Sequence, residues 1–371
     1  MRVLVAPNAF AGTLTAAEAG AAIAAGWRRQ RPDDALTVVP VADGGPGTVA
    51  ALAPLGELRT AGVEDPLGRR IDAQWLLLPD GTAVVESAAA CGRHLAVDPL
   101  RASTGGVGEL VCAALGEEVR RVVVGVGGTA STDGGAGAAA TLGAWLLDAS
   151  GHPVGPGGAA LAALERVDLA DLDPRLSGVA VEVAADVDNV LCGPDGAAYG
   201  FGPQKGATAE QVAELDAALR RYAAVVARDV PGAEGVATRP HAGAGGGLAA
   251  GLMAFAGATA RPGAAVVLDL LRLSRDVALA DLVVTGEGTF DWQSLRGKAP
   301  AAVARLAQVE GVPCVVLAGQ VEAGRRELGT AGVDAAYAVA DLAGSVEESL
   351  AEPRGWLEEL AARVATEWSR R

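Results

Sequence analysis

The sequence predicts a doubly wound α/β fold with a second, glycine-rich α/β domain inserted in it. Three observations predict this. Short β-rich runs alternate with alanine-rich helical runs along the chain. The apolar runs at the two ends, Val3–Ala6 with Leu282–Thr285 and Cys314–Leu317, read as strands of one sheet. The stretch between them is punctuated by glycine turns, and no linker divides the chain into halves. The expected bounds are 1–77 plus 270–371 for the doubly wound domain and 78–269 for the insertion. An active-site cleft is expected between them, a common place for a ligand. A length of 371 residues, half of them apolar, suits two domains and two cores.

In chain order, Val3–Ala6 is the first apolar run and the first expected strand. A helix is expected over Thr15–Arg29, because Thr15 and Glu18 form an S/T-x-x-E capping box at its start. Leu36–Pro40, Ile71–Leu77 and Ala83–Glu86 are short β-rich runs and read as strands. Gly106–Ala114 reads as a helix, Arg121–Val126 as a strand and Gly137–Leu146 as a helix. Val179–Ala184 is the next strand and Ala209–Ala227 the next helix. The uncharged stretch 242–260 contains six glycines, with Leu248, Leu252 and Phe255 at i, i+4 and i+7. It reads as a buried helix after a glycine turn, not a membrane span. Leu282–Thr285 and Cys314–Leu317 are strands, while Ala299–Glu310 and Val346–Ser369 are helices.

The formal net charge of −15, with no basic run, argues against nucleic-acid or membrane partners. It leaves room for a small anion, since backbone N–H groups and one or two cations can make a site locally positive. Cys91, Cys112, Cys192 and Cys314 are far apart and His94, His152 and His241 stand alone, so buried reduced thiols are expected and a zinc site is not. Met1 to Pro7 reads as a strand and not a signal peptide, and a cytoplasmic location is the expectation.

Only two lysines, Lys205 and Lys298, stand against 28 arginines, and both lie in glycine-flanked turns. Lysine is a slim point charge that fits beside a phosphate in a tight loop. Several acids follow strands directly: Asp43, Asp133, Asp186, and Glu287 with Asp291. Each could cap a turn. At the carboxyl ends of strands they could also hold magnesium or take a proton from a hydroxyl. Apolar runs leading into Asp43-Gly44-Gly45 and into Asp133-Gly134-Gly135 use one device, a strand ending in a glycine turn that opens a helix. Cations, acids and glycine loops together point to phosphoryl transfer. No Walker A motif is present, because Gly297-Lys298 leads into Ala299 and no glycine stands five residues before Gly297.

These blocks resemble glycerate kinase of the type that phosphorylates the 2-hydroxyl of glycerate with ATP. The likeness runs nearly end to end. It is carried by Pro40-Val41-Ala42-Asp43-Gly44-Gly45, by Gly127 to Gly137, by Asp186-Val187-Asp188-Asn189 and by Phe201 to Ala207. Thr285-Gly286-Glu287-Gly288, leading through Asp291, Gln293 and Ser294 to Lys298, completes the set. The resemblance implies a flavodoxin-like part, ATP with Mg2+, and D-glycerate or a similar hydroxy acid giving 2-phosphoglycerate. Asp186, Lys205, Asp291 and Lys298 are then the expected catalytic residues, and Asp186 and Glu287 the expected metal ligands. The cofactor-binding set is Asp43, Gly44, Gly45, Gly127, Gly128, Thr129, Asp133, Gly134, Gly135, Asn189, Gln204 and Ser294. The family's first turn commonly reads Pro-Asp-Ser-Phe-Lys-Gly, whereas here Pro7-Asn8-Ala9-Phe10-Ala11-Gly12 lacks the acid, the hydroxyl and the lysine. Arg69, Arg70 and Arg296 are candidates to supply the missing cation, and the departure bears on substrate identity. Thr132 stands where the family usually has asparagine.

Two other readings are a nicotinamide-dependent dehydrogenase and a relative that binds without catalysis. The first rests on Gly125-x-Gly127-x-x-Ala130 after a strand, with Asp148 as the ribose acid. The second rests on Ala11. The sequence leaves the oligomeric state open, a homodimer being one option.

Overall fold

The computed structural model describes residues 1–10 and 12–368, without the side chains of Arg296 and Arg325. Ala11, the Arg296 side chain and Ser369, on which expectations above fall, lie outside the described residues. The chain forms two compact units, 1–43 with 264–371 and 44–263.

The first unit carries five strands, numbered along the chain: β1 (Arg2–Pro7), β2 (Ala35–Val38), β11 (Leu282–Phe290), β12 (Cys314–Val321) and β13 (Ala335–Ala338). All pair in parallel, in the order β13-β12-β11-β1-β2. Because side chains alternate across a strand, Val3 and Val5 face one core while Leu4 and Ala6 face another. Helices Ala16–Gln30 and Pro353–Trp368 cover the first face through Ile23, Trp27, Leu357 and Leu360. Helix Ala299–Glu310 covers the second through Val303, Ala304 and Ala307. The sheet is thus doubly wound. The chain leaves β1 toward β2 on one side, while β11 flanks β1 on the other. Strand order therefore reverses between β1 and β11, and in open α/β sheets that crevice, at the carboxyl ends, is where ligands bind. The capping box is formed: Thr15 N–H donates to Glu18 Oε2 at 2.8 Å, and Glu18 N–H to Thr15 Oγ1 at 3.2 Å.

The second unit holds β3 (Glu57–Glu64), β4 (Arg70–Leu77), β5 (Thr82–Glu86), β6 (Arg121–Gly125), β9 (Ala180–Ala185) and β10 (Thr259–Pro262). They form one mixed sheet in the order β10-β9-β6-β5-β4-β3, with β5, β6, β9 and β10 parallel and β3-β4 an antiparallel hairpin. A separate antiparallel ribbon pairs β7 (Trp145–Leu147) with β8 (Arg166–Asp168). The core joins Val85, Val122, Val124 and Val183 to apolar side chains of helices Gly105–Leu115 and Ala209–Asp229. Both ends of this unit come to the carboxyl end of β9. Gly44 packs on the Ala184 carbonyl, and Pro262 is the β10 partner of Ala185.

Several expectations change. The first join lies at 43/44 and not at 77/78, because Ile71–Leu77 pairs with β3 and β5 and so belongs to the second unit. The second join, at 263/264, lies six residues before the expected 269/270. The helix expected over Gly137–Leu146 is Ala136–Thr141, stopped where Gly143 turns left-handed at φ 101° and β7 follows. The helix expected from Val346 is two, Val346–Ala351 and Pro353–Trp368, since proline opens a helix but cannot continue one. Leu248–Phe255 is the buried helix expected after the glycine turn. Among the described residues no helix is long and apolar enough to cross a membrane.

Candidate active site

In the first unit, the β1/β11 crevice gathers polar groups. Asn8, just after β1, donates its N–H to the Gly286 carbonyl at 2.8 Å and its side-chain amide to Asp43 Oδ2 at 3.5 Å. Glu287 follows in β11. It is 6% exposed, and its Oε1 has no hydrogen-bond partner among the described residues. Burial pushes this carboxyl up to about 7, with Asp43 and Asp291 adding to the rise, while Ser294 and Lys298 oppose it. A buried acceptor left open is costly unless something fills it.

Lys298 is the N-cap of helix Ala299–Glu310. A cation there opposes the helix dipole, so the local field is doubly positive and suits an anion. Asp291 Oδ1 accepts the N–H groups of Gln293 at 2.8 Å and Ser294 at 2.9 Å. Burial acts to raise its carboxyl, but the Ser294 and Gln293 bonds prevail and hold it below the usual range. Ser294 is fully buried, and its hydroxyl lies 3.2 Å from Asp291 Oδ1 and from the Thr289 carbonyl. Asp291 and Ser294 therefore build the turn between Glu287 and Lys298.

In the second unit the glycine blocks form one backbone layer at the carboxyl ends of β6 and β9. A β-carbon at Gly44 would lie 2.6 Å from the Ala184 oxygen, and one at Gly127 would lie 2.6 Å from Gly45 Cα. Gly127 N–H donates to the Gly44 carbonyl at 3.1 Å. Close packing thus accounts for Gly44 and Gly127. The short helix Thr48–Leu52 that follows has its N-terminal N–H groups taken by Glu86, which accepts from Gly47 at 3.1 Å and Val49 at 3.2 Å. The expected anion-binding helix start is filled by the protein's own carboxylate. Burial is the main cause that pushes Glu86 up, against those two bonds.

Asp133 is also turned inward. Its Oδ2 accepts Thr104 N–H and Oγ1–H, both at 2.8 Å, and Gly137 N–H at 3.2 Å, while Oδ1 accepts Gly135 N–H at 3.1 Å. Four donors of its own unit occupy it, so it anchors the loop. Lys205 is 4% exposed and donates to the Ser131 carbonyl, beneath the same loop. Burial pushes its ammonium down to about 8. It acts on the loop before it can act on a phosphate. The hydroxyls of Ser131 and Thr132 are buried, with no partner among the described residues.

Asp186 is exposed directly after β9, and Asn189 Nδ2 donates to the Asp195 carbonyl at 2.8 Å. Gln204 is exposed beside Lys205, Thr129 is buried and Gly128 half-buried, while Gly134 and Gly135 are buried left-handed turn residues. Two of the arginines proposed for the missing cation are engaged: Arg69 with Asp65 at 2.6 Å, and Arg70 with Glu109 at 2.5 Å. Arg93, which the sequence reading passed over, stands beside Gln204 instead. Its only signal in the sequence is the turn Gly92-Arg93-His94 soon after a strand.

The dehydrogenase reading fails on topology. After Gly125 to Ala130 the chain passes through helix Ala136–Thr141 into β7, which pairs antiparallel with β8 and not parallel with β6. Asp148 accepts Ser150 and His152 N–H groups in the turn of that ribbon. Comparison with known proteins points elsewhere. The model of the glycerate kinase family matches residues 3–369. The glycerate kinase of Halalkalibacterium halodurans is 41% identical over 98% of this chain and 97% of its own length. The glycerate 2-kinase of Escherichia coli K12 is 40% identical over 94% of this chain and 93% of its own. A crystal structure assigned to glycerate kinase 2 of Salmonella typhimurium LT2 matches with a TM-score of 0.84 and 39% identity, covering 100% of this chain and 98% of that one.

Proposed function

The chain belongs to the glycerate kinase family, and from that premise we propose that it moves the γ-phosphoryl group of ATP to the 2-hydroxyl of D-glycerate, giving 2-phosphoglycerate and ADP. The observation that carries the proposal is Glu287, a buried carboxyl with an open oxygen at the strand-order reversal, flanked by Lys298. A carboxyl that ionises near 7 is matched to accepting a proton at neutral pH. The 2-hydroxyl oxygen bonds to the γ-phosphorus as the bond from that phosphorus to the β,γ-bridging oxygen breaks. The hydroxyl proton passes to Glu287 and the electron pair leaves with ADP. Lys298 and the helix start it caps hold negative oxygens in line.

Magnesium fits the donor set in one way. Among the described residues no three His, Cys, Asp or Glu side chains converge as a cage. Mg2+ commonly takes one or two carboxylates with substrate phosphates and keeps its waters. Asp186, exposed at the end of β9, suits such a hydrated ion better than the buried Glu287. When bound, the ion neutralises charge on the phosphates.

The test is ADP release from magnesium-ATP with D-glycerate, against L-glycerate and no-substrate controls, with 31P NMR of the product. Turnover yielding 2-phosphoglycerate is expected. ATP binding without D-glycerate-dependent ADP release would mean another hydroxy acid or a silent relative.

A further inference from the structure

Arg93 lies on the turn that follows β5 and the short helix Ala88–Cys91. Its backbone is fixed on the glycine-rich block: Arg93 N–H donates to the Gly128 carbonyl at 3.2 Å, and Gly92 and Thr129 form a β-bridge. Arg69, held by Asp65, donates to the Leu95 carbonyl at 3.0 Å and pins the far side of the turn. The Arg93 side chain is exposed and has no carboxylate within ion-pair distance among the described residues. A guanidinium has five N–H donors. Among the described residues only Nη1 is engaged, with the Gln204 carbonyl at 3.5 Å and Gln204 Oε1 at 3.4 Å. Both contacts are at the outer limit of hydrogen bonding and yield readily to an ionised acceptor.

The surroundings sharpen this. The next residue after Gln204 is Lys205, whose ammonium lies close enough to Arg93 for the two charges to repel. The two cations lie on separate turns, after Gly92 and before Gly206, and holding like charges near each other costs electrostatic energy. We propose that Arg93 is an oxyanion-recognition residue of the kinase, binding a substrate carboxylate or an ATP phosphate through the guanidinium face that Gln204 leaves open. The inference rests on the kinase reading for the identity of the oxyanion. It gives this chain a cation that the first turn, with Ala11 in place of the family's usual lysine, does not supply.

The experiment compares wild type, Arg93→Ala and Arg93→Lys, with Arg101→Ala as an exposed control in the same unit. KM for D-glycerate and KM for ATP are measured separately. Loss of a bidentate charged contact is expected to raise one of them about 10- to 100-fold, with kcat changing less and lysine recovering only part. A rise confined to glycerate identifies the carboxylate, and a rise confined to ATP identifies a phosphate. Calorimetric titration of each protein with D-glycerate and with sodium tripolyphosphate gives a readout that needs no turnover. If neither KM moves and both probes bind Arg93→Ala as they bind wild type, the proposal is overturned while the kinase reading stands. Wild type that binds a probe in an Arg93-dependent way without turning over retains the site and removes the reaction.

Discussion

Glu287→Gln separates the cost of the candidate carboxylate from its use. In the folded protein Glu287 titrates near 7, against an ordinary value of 4.5, because burial penalises its anion. The sign follows from proton binding. Between pH 4.5 and 7 the folded state holds more protons at this group than the unfolded state does, so its contribution to stability falls as pH rises through that window. At about 1.4 kcal/mol per pH unit, the full loss is on the order of 3 kcal/mol. Glutamine keeps the shape and never ionises. Urea unfolding followed by circular dichroism should therefore find the variant equal to wild type near pH 4.5. Near pH 8 it should be about 1–3 kcal/mol more stable, while turnover falls at least about 100-fold. A stability difference that does not change with pH would refute the burial argument. Retained turnover would refute the proton-acceptor role.

Three further outcomes follow from the second unit. Asp133→Asn leaves backbone donors facing an amide, and should cost about 2–4 kcal/mol in urea unfolding; a cost below about 0.5 kcal/mol would show that the four bonds do not anchor the loop. Lys205→Met should lower turnover at least about tenfold with the fold kept by circular dichroism. In wild type the alkaline limb of the rate profile should fall near pH 8, where that ammonium is lost; a limb unchanged in Lys205→Met would dissociate it from Lys205. Asp186→Asn should reduce turnover by about 100-fold, and a drop under about tenfold would remove Asp186 from an essential role.

Much of the fold was legible because local signals and tertiary packing agree. The Thr15–Glu18 box, the valine runs of β1 and β6, and the helix Ala299–Glu310 all stand where the sequence puts them. The hairpin strand β3 was missed, since its edge position leaves most of its side chains in water and weakens the apolar pattern. β11 runs to Phe290 where the reading stopped at Thr285. Its Gly286 and Gly288 resemble a turn in sequence, yet Gly286 is needed in the strand because the Leu317 carbonyl of β12 sits where a β-carbon would be. At the site, strand-end position points to Glu287 and lysine scarcity to Lys298, but neither signal can tell an acid that faces outward from one that ties a loop. Asp133 and Asp186 look alike in sequence, yet Asp133 is buried among four donors of its own unit while Asp186 is exposed. Glu86 and Arg93 carry no motif, and what places them is contact with segments distant in the chain, Gly47 and Val49 for Glu86, Gly128 and Gln204 for Arg93.

Gly44 and Pro262, the ends of the second unit, meet at one strand end. A chain segment whose entry and exit coincide behaves as a cassette. It can lengthen, shorten or be exchanged without asking the host sheet to change its strand order. Excision of residues 44–263, with Asp43 rejoined to Ala264 through a short flexible bridge, would keep all five parallel strands of the first unit in sequence. The same geometry makes the segment a candidate for transplantation into another five-stranded host. Its glycine layer and the Asp133 anchor travel with it, because the donors that hold them come from within the cassette.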